Sequence, residues 1–504
     1  MIKSVLEWLE SSALSKPDKI ALCDENTSLN YSSVHKGAQS IGSYILENIG
    51  SEKSVVVISG RHVHTLVAYL GVLYSGGCYV PIDSMNPKSH IGKIADATKP
   101  QLILADKQSL PLIQDIHFQS EIILIDDILD HPINETLLNS ARKDFIDINP
   151  LYVIFTSGST GVPKGVITSH RAVATFIQGY TSAIDIKETD VIGSQSPLDY
   201  VGVVKDFYTS LKMSATMFIV PKRCFVTTDE LIEFLDKYRV SVIAWTVAAL
   251  TIPIANGAFD EKVPAYLRLV CFTGSVMPSK YLRILQEKMP ETEFVNLYGP
   301  TELTSNCLFY KVKSKVTDDY VIPIGSAFDG YRTFIINDKG EKASAGETGE
   351  LYVGGSALSL GYYNNKGASD QYFIQNPLHN KYRDIVYKTG DYCSIQADGN
   401  YIFHGRKDRM VKSHGYRIEL DEIENISRAI PELNNCLCIY NSIKDQLYLF
   451  YDGKINEKQL FVYLRKELPA YKIPRKIIKL DKMPLMNNYK VDVNRLKTMM
   501  NNDA

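Results

Sequence analysis

The chain has 504 residues, more than one hydrophobic core usually organises, so two or more domains are expected. Its residues are 45% hydrophobic and 22% charged, and no apolar run reaches the length of about eighteen that a membrane span needs. The formal net charge is −2 and no basic stripe is present, which argues against a nucleic acid as partner.

The first ten residues, MIKSVLEWLE, place acidic side chains where a secretory signal needs a long apolar stretch. A cytoplasmic protein that does not enter a membrane is therefore expected. The eight cysteines are scattered, without CxxC pairs or nearby histidines at zinc-ligand spacing. We expect buried thiols rather than disulfides or metal ligands.

Short β-branched segments alternate with longer amphipathic ones, such as Asp229–Tyr238, through the first 400 residues. This alternation predicts an α/β fold, with a large N-terminal domain of mixed, largely parallel sheets and flanking helices. The predicted strands include 54–59, 101–105, 121–126, 241–245 and 267–272.

A strand at 152–156 runs into a loop of hydroxyls and glycines, and the whole segment reads YVIFTSGSTGVPKGV. Glycines let backbone N–H groups approach anionic oxygens, hydroxyls donate hydrogen bonds, and Lys164 adds a positive charge. The Walker A pattern fails because Pro163 stands five residues after Gly158, so a P-loop kinase is the weaker interpretation. A polyphosphate site is predicted, with hydroxyls from Thr156, Ser157, Ser159 and Thr160.

A turn at 398–400 and the polar segment 405–409 mark a predicted domain boundary. We expect an N-terminal core over residues 1–405 and a small mobile α+β domain over 406–504. Within the second domain the pattern predicts helices at 420–429 and 457–467 and strands at 436–440 and 447–451.

Six motifs, in order along nearly the whole chain, resemble the adenylation-domain family of nonribosomal peptide synthesis. That family lies within a larger group that includes acyl-CoA synthetases and firefly-type luciferases. The motifs are the loop just described, NLYGPTE at 296–302, GELYVGG at 349–355, YKTGD at 387–391, GRKD at 405–408 with GYRIEL at 415–420, and NYKVD at 488–492.

The resemblance implies a ligase that uses ATP and Mg²⁺ to activate an amino acid as aminoacyl-AMP, with release of pyrophosphate. The aminoacyl group would then pass to the phosphopantetheine thiol of a separate carrier protein, since the chain ends soon after Lys490. Alternatives that stay open are a carboxylic acid–CoA ligase acting on a small non-amino acid and a D-alanine–carrier protein ligase. A catalytically inactive nucleotide-binding scaffold is a further alternative.

The resemblance also implies roles for single residues. Asn296 would hydrogen-bond adenine, and Tyr298 would pack against it. Glu302 would hold Mg²⁺, because a hard cation prefers carboxylate oxygen, and Asp391 would accept the ribose hydroxyls. The other implied nucleotide contacts are Thr156, Ser157, Gly158, Ser159, Thr160, Gly274, Ser275, Gly299, Thr301, Phe403, Arg406 and Lys490.

Lys490 is expected to stabilise the first transition state, with Thr156, Lys164 and Glu302 as the other catalytic residues. Negative charge gathers on the α-phosphate as the substrate carboxylate attacks, so a cation placed there only in the closed state is selective. The family usually has glycine where this chain has Tyr489.

For the second half-reaction the resemblance implies that the small domain rotates about Asp408. The Lys412–Arg417 loop would then replace Lys490 at the site. Gly415 would let the pantetheine arm pass close to the backbone, although the family's usual Arg-Gly reads His414-Gly415 here.

Asp199 is the predicted partner of a substrate ammonium, since a buried cation needs an anion. The motif is degenerate, because the family's aspartate position falls on Tyr200 or Val201, and an acid without an amino group stays possible. The predicted pocket liners are small or mildly polar and favour a modest aliphatic or polar side chain; they are Asp199, Tyr200, Ala244, Cys271, Thr273, Leu297, Ser305 and Asn306.

Overall fold

The computed structural model describes residues 2–51, 53–156, 163–225, 228–406, 409–484 and 491–502. The helices, in chain order, are α1 (Leu6–Ser15), α2 (Tyr31–Asn48), α3 (Val63–Tyr74), α4 (Lys88–Thr98), α5 (Leu110–Ile113), α6 (Ile125–Ile128), α7 (Glu135–Lys143), α8 (His170–Ala183), α9 (Gly202–Met213), α10 (Thr228–Lys237), α11 (Val247–Ala255), α12 (Ser279–Lys288), α13 (Lys366–Tyr372), α14 (Leu420–Arg428), α15 (Glu457–Glu467) and α16 (Val493–Asn502). Short 3₁₀ turns occur at Lys222–Phe225, Thr301–Leu303 and Ala470–Lys472.

The strands, in chain order, are β1 (Ile20–Cys23), β2 (Ser28–Asn30), β3 (Ser54–Ser59), β4 (Cys78–Asp83), β5 (Leu102–Ala105), β6 (Glu121–Leu124), β7 (Pro150–Thr156), β8 (Lys164–Ser169), β9 (Val191–Ser194), β10 (Thr216–Ile219), β11 (Val242–Thr246), β12 (Leu269–Thr273), β13 (Glu293–Tyr298), β14 (Leu308–Lys311), β15 (Ser326–Ala327), β16 (Tyr331–Ile336), β17 (Thr348–Gly355), β18 (Gly361–Tyr362), β19 (Phe373–Gln375), β20 (Ile385–Ile395), β21 (Tyr401–Arg406), β22 (Met410–Ser413), β23 (Tyr416–Glu419), β24 (Leu433–Asn441), β25 (Gln446–Gly453) and β26 (Lys476–Leu480).

Two large sheets form the N-terminal part of the chain. One has the order β15-β14-β13-β12-β11-β9-β10-β1-β2 and is parallel from β13 to β1, and the other has the order β18-β8-β7-β4-β3-β5-β6 and is parallel from β7 to β6. Antiparallel strands complete the edges of both sheets. The predicted α/β fold with mixed, largely parallel sheets is confirmed.

Helices cover both faces of each large sheet. One hydrophobic cluster joins the inner faces of the two sheets through α2, α3, α8 and α9. A second cluster packs α10, α11 and α12 on the outer face of the first sheet, and a third packs α4 and α5 on the outer face of the second. Such two-sided burial explains why the parallel strands read as continuous apolar runs.

A third sheet is antiparallel, with the order β16-β17-β20-β19, and β21 pairs with β20. Tyr401 and Phe403 of β21 still pack against the inner cluster of the two large sheets. The third sheet therefore brings Asp391 of the YKTGD motif, with Arg406 beside it, to the end of β13, where NLYGPTE lies.

Residues after 409 form their own cores. The hairpin β22–β23 and the sheet β24-β25-β26 pack with α14, α15 and α16 in two clusters drawn from residues 411–500. The clusters of the preceding part use residues up to 403. This separation supports the boundary predicted at 405/406, which stays a prediction, and the expected hinge residue Asp408 lies outside the described residues.

Within 2–51, 53–156, 163–225, 228–406, 409–484 and 491–502, no helix is both long enough and apolar enough to cross a membrane. The eight cysteines are all free and buried, as expected from their spacing.

Candidate active site

Glu302 lies at the centre of the predicted site, in the 3₁₀ turn that follows β13. Its side chain is completely buried. The Tyr362 hydroxyl and one Arg417 N–H each donate a hydrogen bond of 2.6 Å to Glu302 Oε1. The NLYGPTE turn therefore meets β18 and the C-terminal hairpin at this carboxylate.

Charge pairing decides the ionisation of Glu302. Burial disfavours its charged form, yet the Arg417 guanidinium and the Tyr362 hydroxyl hold the pKa of Glu302 below its ordinary value. The same carboxylate raises the pKa of Arg417 well above its usual range despite burial, so the pair is ionic at neutral pH.

The residues present fit a magnesium ion at Glu302 that is shared with phosphate oxygens. Glu302 Oε2 is buried and has no hydrogen-bond partner among the described residues. No group of three or more His, Cys, Asp or Glu side chains in the described part of the chain could hold a metal ion by itself. A cation bound here would therefore need ligands from the nucleotide as well.

Asp391 is the second buried carboxylate of the site and lies on β20. Its two oxygens accept hydrogen bonds from the Tyr298 hydroxyl and from the Arg406 guanidinium. Lys412 Nζ lies 5.0 Å from the centre of the Tyr298 ring. Burial lowers the pKa of Lys412, while the Asp391 charge opposes this shift.

The residues expected to bind adenine lie in one region of the structure. The Tyr298 and Phe403 rings have centroids 6.5 Å apart and an interplanar angle of 41°. The Asn296 amide donates a 2.7 Å hydrogen bond to the Pro323 carbonyl. Gly299 is needed because an added Cβ would come within 2.5 Å of Asn306 Cα. The structure thus brings these motif residues together, and their contacts with nucleotide stay a prediction.

The polyphosphate loop is described only at its ends. Thr156 and Lys164 pair across β7 and β8, and the Thr156 hydroxyl donates to the Lys164 carbonyl at 3.4 Å. Lys164 Nζ lies 5.3 Å from the Tyr372 ring centre. The predicted residues Ser157, Gly158, Ser159 and Thr160, and also Lys490, lie outside the described residues.

The β22–β23 hairpin carries the Lys412–Arg417 loop into the site. Gly415, with φ +85°, lies so close to Gly274 that a Cβ on Gly274 would be 2.8 Å from Gly415 Cα. A Cβ on Gly415 would overlap the Thr246 methyl group. The Tyr200 hydroxyl donates a 2.7 Å hydrogen bond to the Gly415 carbonyl. In this arrangement the Lys412–Arg417 loop lies at the candidate site, and this is the loop to which the resemblance assigns a role in thiol transfer.

Three predicted pocket liners share one face of the first sheet. Ala244 and Cys271 are in register on β11 and β12, and Leu297 lies on the adjacent β13 in the same inner cluster. Thr273 accepts a 3.0 Å hydrogen bond from the Asn306 amide. The sequence placed these residues together correctly, although their contact with substrate stays a prediction.

Ser275 and Thr301 lie near this face without a contact that defines their role. Ser275 is half-buried after Gly274, and Thr301 is buried in the turn beside Glu302. Ser305 has a positive φ of 80°, and its hydroxyl bonds to the neighbouring Asn306 side chain at 3.2 Å.

Asp199 lies just before α9 and is bonded within the protein. Its Oδ2 accepts hydrogen bonds of 3.1 Å from the Asp83 backbone N–H and from the Asn86 amide. Burial, together with the nearby Asp83 charge, raises the pKa of Asp199 to about 6. Its role as the partner of a substrate ammonium stays a prediction.

Sequence reasoning did not foresee two contacts. The ion pair between Arg417 and Glu302 joins residues 115 positions apart, and no local pattern announces it. Tyr362, which donates a hydrogen bond to the same carboxylate, lies in the short strand β18 and outside the six motifs. The sequence offered little reason to select it, since it is one of 31 tyrosines.

Fold and site together describe an α/β enzyme whose buried acids and basic side chains converge at the ends of several strands. Residues 9–363 match the family model described as AMP-binding enzyme. The chain belongs to this family, and the resemblance read from the six motifs is confirmed.

The chain is similar to bacitracin synthase 3 of Bacillus licheniformis, with 30% identity over 97% of this chain and 8% of that protein. It is 28% identical to the D-alanine–D-alanyl carrier protein ligase of Lacticaseibacillus casei, over 98% of each chain. The chain spans less than half the length of several curated relatives.

Among solved structures, the fold matches the Vibrio cholerae adenylation domain AlmE, which was determined in complex with glycyl-adenosine-5′-phosphate. The TM-score is 0.84 with 21% identity, over 99% of this chain and 98% of that one. At this identity the likeness concerns the fold alone.

Proposed function

We propose that the protein activates an amino acid as aminoacyl-AMP with ATP and Mg²⁺, and then transfers the acyl group to the phosphopantetheine thiol of a carrier protein. The observation that carries this proposal is the C-terminal hairpin seated at the predicted nucleotide site, with Arg417 on Glu302 and Gly415 against Gly274. Full-length similarity to a carrier protein ligase supports the choice of acceptor.

In the first half-reaction the substrate carboxylate attacks the α-phosphorus and pyrophosphate leaves. When bound, Mg²⁺ would neutralise charge on the triphosphate, and Glu302 would be its protein ligand. Asp391 accepts hydrogen bonds from Tyr298 and Arg406 in this structure. With nucleotide bound, it would accept hydrogen bonds from the ribose hydroxyls instead. Lys490 would supply the positive charge that grows in importance as the transition state forms.

In the second half-reaction the thiol attacks the acyl carbon and AMP leaves. Gly415 and Gly274 leave backbone without side chains at the place where a narrow pantetheine arm must pass. Arg417 would pair with the Glu302 carboxylate once pyrophosphate has left, so that the buried charge stays paired during transfer.

The proposal is tested by ATP–pyrophosphate exchange with the full-length protein across the amino acids and a set of aryl, fatty and other non-amino acids. We expect clear exchange with one small class of amino acids. A preference for aryl or long-chain fatty acids over every amino acid would overturn the amino acid assignment.

The acceptor is tested separately by AMP release. We expect rapid AMP formation with a phosphopantetheinylated carrier protein, and little with the same carrier lacking its pantetheine arm. If CoA alone supports AMP formation as well as the carrier does, the protein is a CoA ligase.

Lys490→Ala separates an enzyme from an inactive scaffold. We expect exchange to fall by about 10²- to 10³-fold, since one preorganised contact to the transition state is lost. Lys482→Ala, which changes an exposed lysine nearby, is the matched control and should keep wild-type exchange. Unchanged exchange in Lys490→Ala would favour the scaffold alternative.

A further inference from the structure

Helix α9 carries a lysine that the mechanism above does not use. Lys205 is 1% exposed, and every residue of α9 from Gly202 to Leu211 is buried. A buried ammonium is costly unless its charge and its donors are both satisfied.

The described residues satisfy the Lys205 ammonium only in part. Its Nζ donates to the Gly202 carbonyl at 2.9 Å. The nearest carboxylate oxygen, Asp206 Oδ1, is 4.0 Å away, which is too far for a hydrogen bond. Asp206 can therefore offset the charge, but two N–H groups lack an acceptor among the described residues.

Helix α9 packs beside the strands that carry the predicted acyl pocket. Asp206, the next residue of α9, accepts a hydrogen bond from Ser194 on β9, and β9 pairs with β11, the strand of Ala244. Burial raises the pKa of the Cys271 thiol to about 12, and the charge on Lys205 opposes that rise. Lys205 thus acts directly on a residue expected to line the pocket.

Asp206 does not fill the missing hydrogen bonds, since its nearer oxygen, Oδ1, lies 4.0 Å from Lys205 Nζ. Its Oδ2 accepts a 2.8 Å hydrogen bond from the Ser194 hydroxyl on β9. An aliphatic substrate side chain would leave the two Lys205 donors unfilled, whereas a carboxylate offers two oxygens to fill them.

We propose that Lys205 binds a second carboxylate of the substrate, so that the acid activated by this enzyme is a short dicarboxylic acid. This inference rests on the proposed function and names its substrate class. It replaces the modest aliphatic or polar side chain expected from the pocket liners, because that expectation left the charge on α9 out of account.

The test is pyrophosphate exchange with full-length protein on matched sets of acids. Aspartate and glutamate are compared with asparagine, glutamine and alanine, and succinate and glutarate report whether an amino group is also required. We expect kcat/KM for the best dicarboxylate to exceed that of its amide by at least about tenfold. Exchange with neutral amino acids but not with dicarboxylates would overturn this inference and leave the proposed function standing.

Lys205→Met tests the residue itself, because it keeps the length of the side chain and removes the charge. We expect kcat/KM for the dicarboxylate to fall by at least about thirtyfold, and the preference over the amide to disappear. Lys205→Arg should keep the preference, since it keeps a buried cation.

Lys212→Met is the matched control on the same helix. Lys212 is half-buried and bonds Gln178 and Thr181 at 2.7 and 2.6 Å, away from Asp206. Its change should leave the preference intact. If Lys205→Met misfolds, a second measurement is used instead. It is the change in Tm of wild type and of Lys205→Arg when the dicarboxylate or its amide is added. Equal shifts by dicarboxylate and amide would then reject the assignment. No exchange with any acid would reject the proposed function and this inference together.

Discussion

Each of the two buried carboxylates at the site is bonded to an arginine. Asp391 accepts from Arg406, which precedes the predicted hinge, and Glu302 accepts from Arg417, which follows it. Arg417 on Oε1 and a magnesium ion on Oε2 would be two positive charges on one buried carboxylate, and they would repel each other. We therefore infer that Arg417 must leave Glu302 before adenylation and return for transfer.

We predict that Arg417→Met separates the two half-reactions. Pyrophosphate exchange should persist, with a lower Mg²⁺ concentration for half-maximal rate, because the competing cation is gone. Acyl transfer to the carrier should fall by about tenfold or more, since the buried Glu302 is left unpaired. Both rates are measured on the same preparation by exchange and by single-turnover transfer.

Arg428→Met is the control for that experiment. Arg428 lies in the same domain, and its side chain is 47% exposed and pairs with Glu424 on the helix surface. Both half-reactions should match wild type. A loss of exchange in Arg417→Met that equals its loss of transfer would contradict the separation.

At this scale the sequence located the motif residues of the candidate site better than their hydrogen-bond partners. Glu302, Asp391 and Tyr298 lie in contiguous motifs, so their residue types and spacing can be recognised in the sequence. Arg417 on Glu302 depends on how two distant segments meet. Lys205 was visible as a charge within the apolar run Val203–Leu211, but its direction needed the folded helix.

The β22–β23 hairpin is the element on which the proposed second half-reaction would depend. Its tip has positive φ at both His414 and Gly415, and the His414 backbone N–H donates to Asp445 Oδ2 at 3.0 Å. The Tyr416 ring, which follows the hairpin tip, stacks on the Tyr471 ring with centroids 4.0 Å apart. The tip is therefore held in one shape while it lies against Gly274.

We predict that Gly415→Ala slows acyl transfer by about tenfold or more and leaves pyrophosphate exchange within about twofold. An alanine Cβ would lie 2.8 Å from Thr246 Cβ only when the hairpin occupies the site. In the proposed mechanism exchange uses another orientation of the small domain, so it should escape the clash. Exchange and single-turnover transfer rates are the readouts.

Gly399→Ala is a closely matched control. Gly399 also has φ +85°, but nothing lies within 4 Å of its added Cβ. It carries the same backbone strain without the clash. Equal effects of the two substitutions on transfer would show that strain alone, and not contact with Thr246, explains the result.

Among the elements, each strand named from the sequence overlaps an observed strand, but some of the ends differ. The strand predicted at 121–126 ends at Leu124, and helix α6 begins at Ile125. Ile125 and Ile128 are buried at a spacing of three, which suits a helix. The apolar residues of the segment EIILIDDIL suit both the two-residue period of a strand and the 3.6-residue period of a helix. The local pattern therefore could not decide where the strand ends.

On the scale of the whole molecule, the alternation of strands and helices was enough to predict the fold class. The order of strands within the sheets was beyond reach, since it depends on long-range pairing such as β1 with β10. Residues up to 403 and residues from 411 onward form separate hydrophobic cores. A domain usually has its own core, so this separation agrees with two domains.

We predict that native protein reacts very slowly with a thiol reagent such as DTNB at pH 8, and that unfolded protein reacts at all eight cysteines. All eight thiols are buried, and burial raises the pKa of Cys271 and Cys436 to about 12, so little thiolate forms. Time courses of reagent release with and without denaturant give the counts. Rapid labelling of native protein would contradict the packing described.

The ion pair between Arg417 and Glu302 has a consequence for the order of product release. Arg417 on Oε1 and a cation on Oε2 would place two positive charges beside one buried carboxylate, and their repulsion would favour a hairpin that settles after the diphosphate product has left with its cation. The acyl nucleotide would wait in place during this exchange of charges. Kinetically, pyrophosphate is then the first product to leave, and each thiol enters an enzyme that has already committed its ATP.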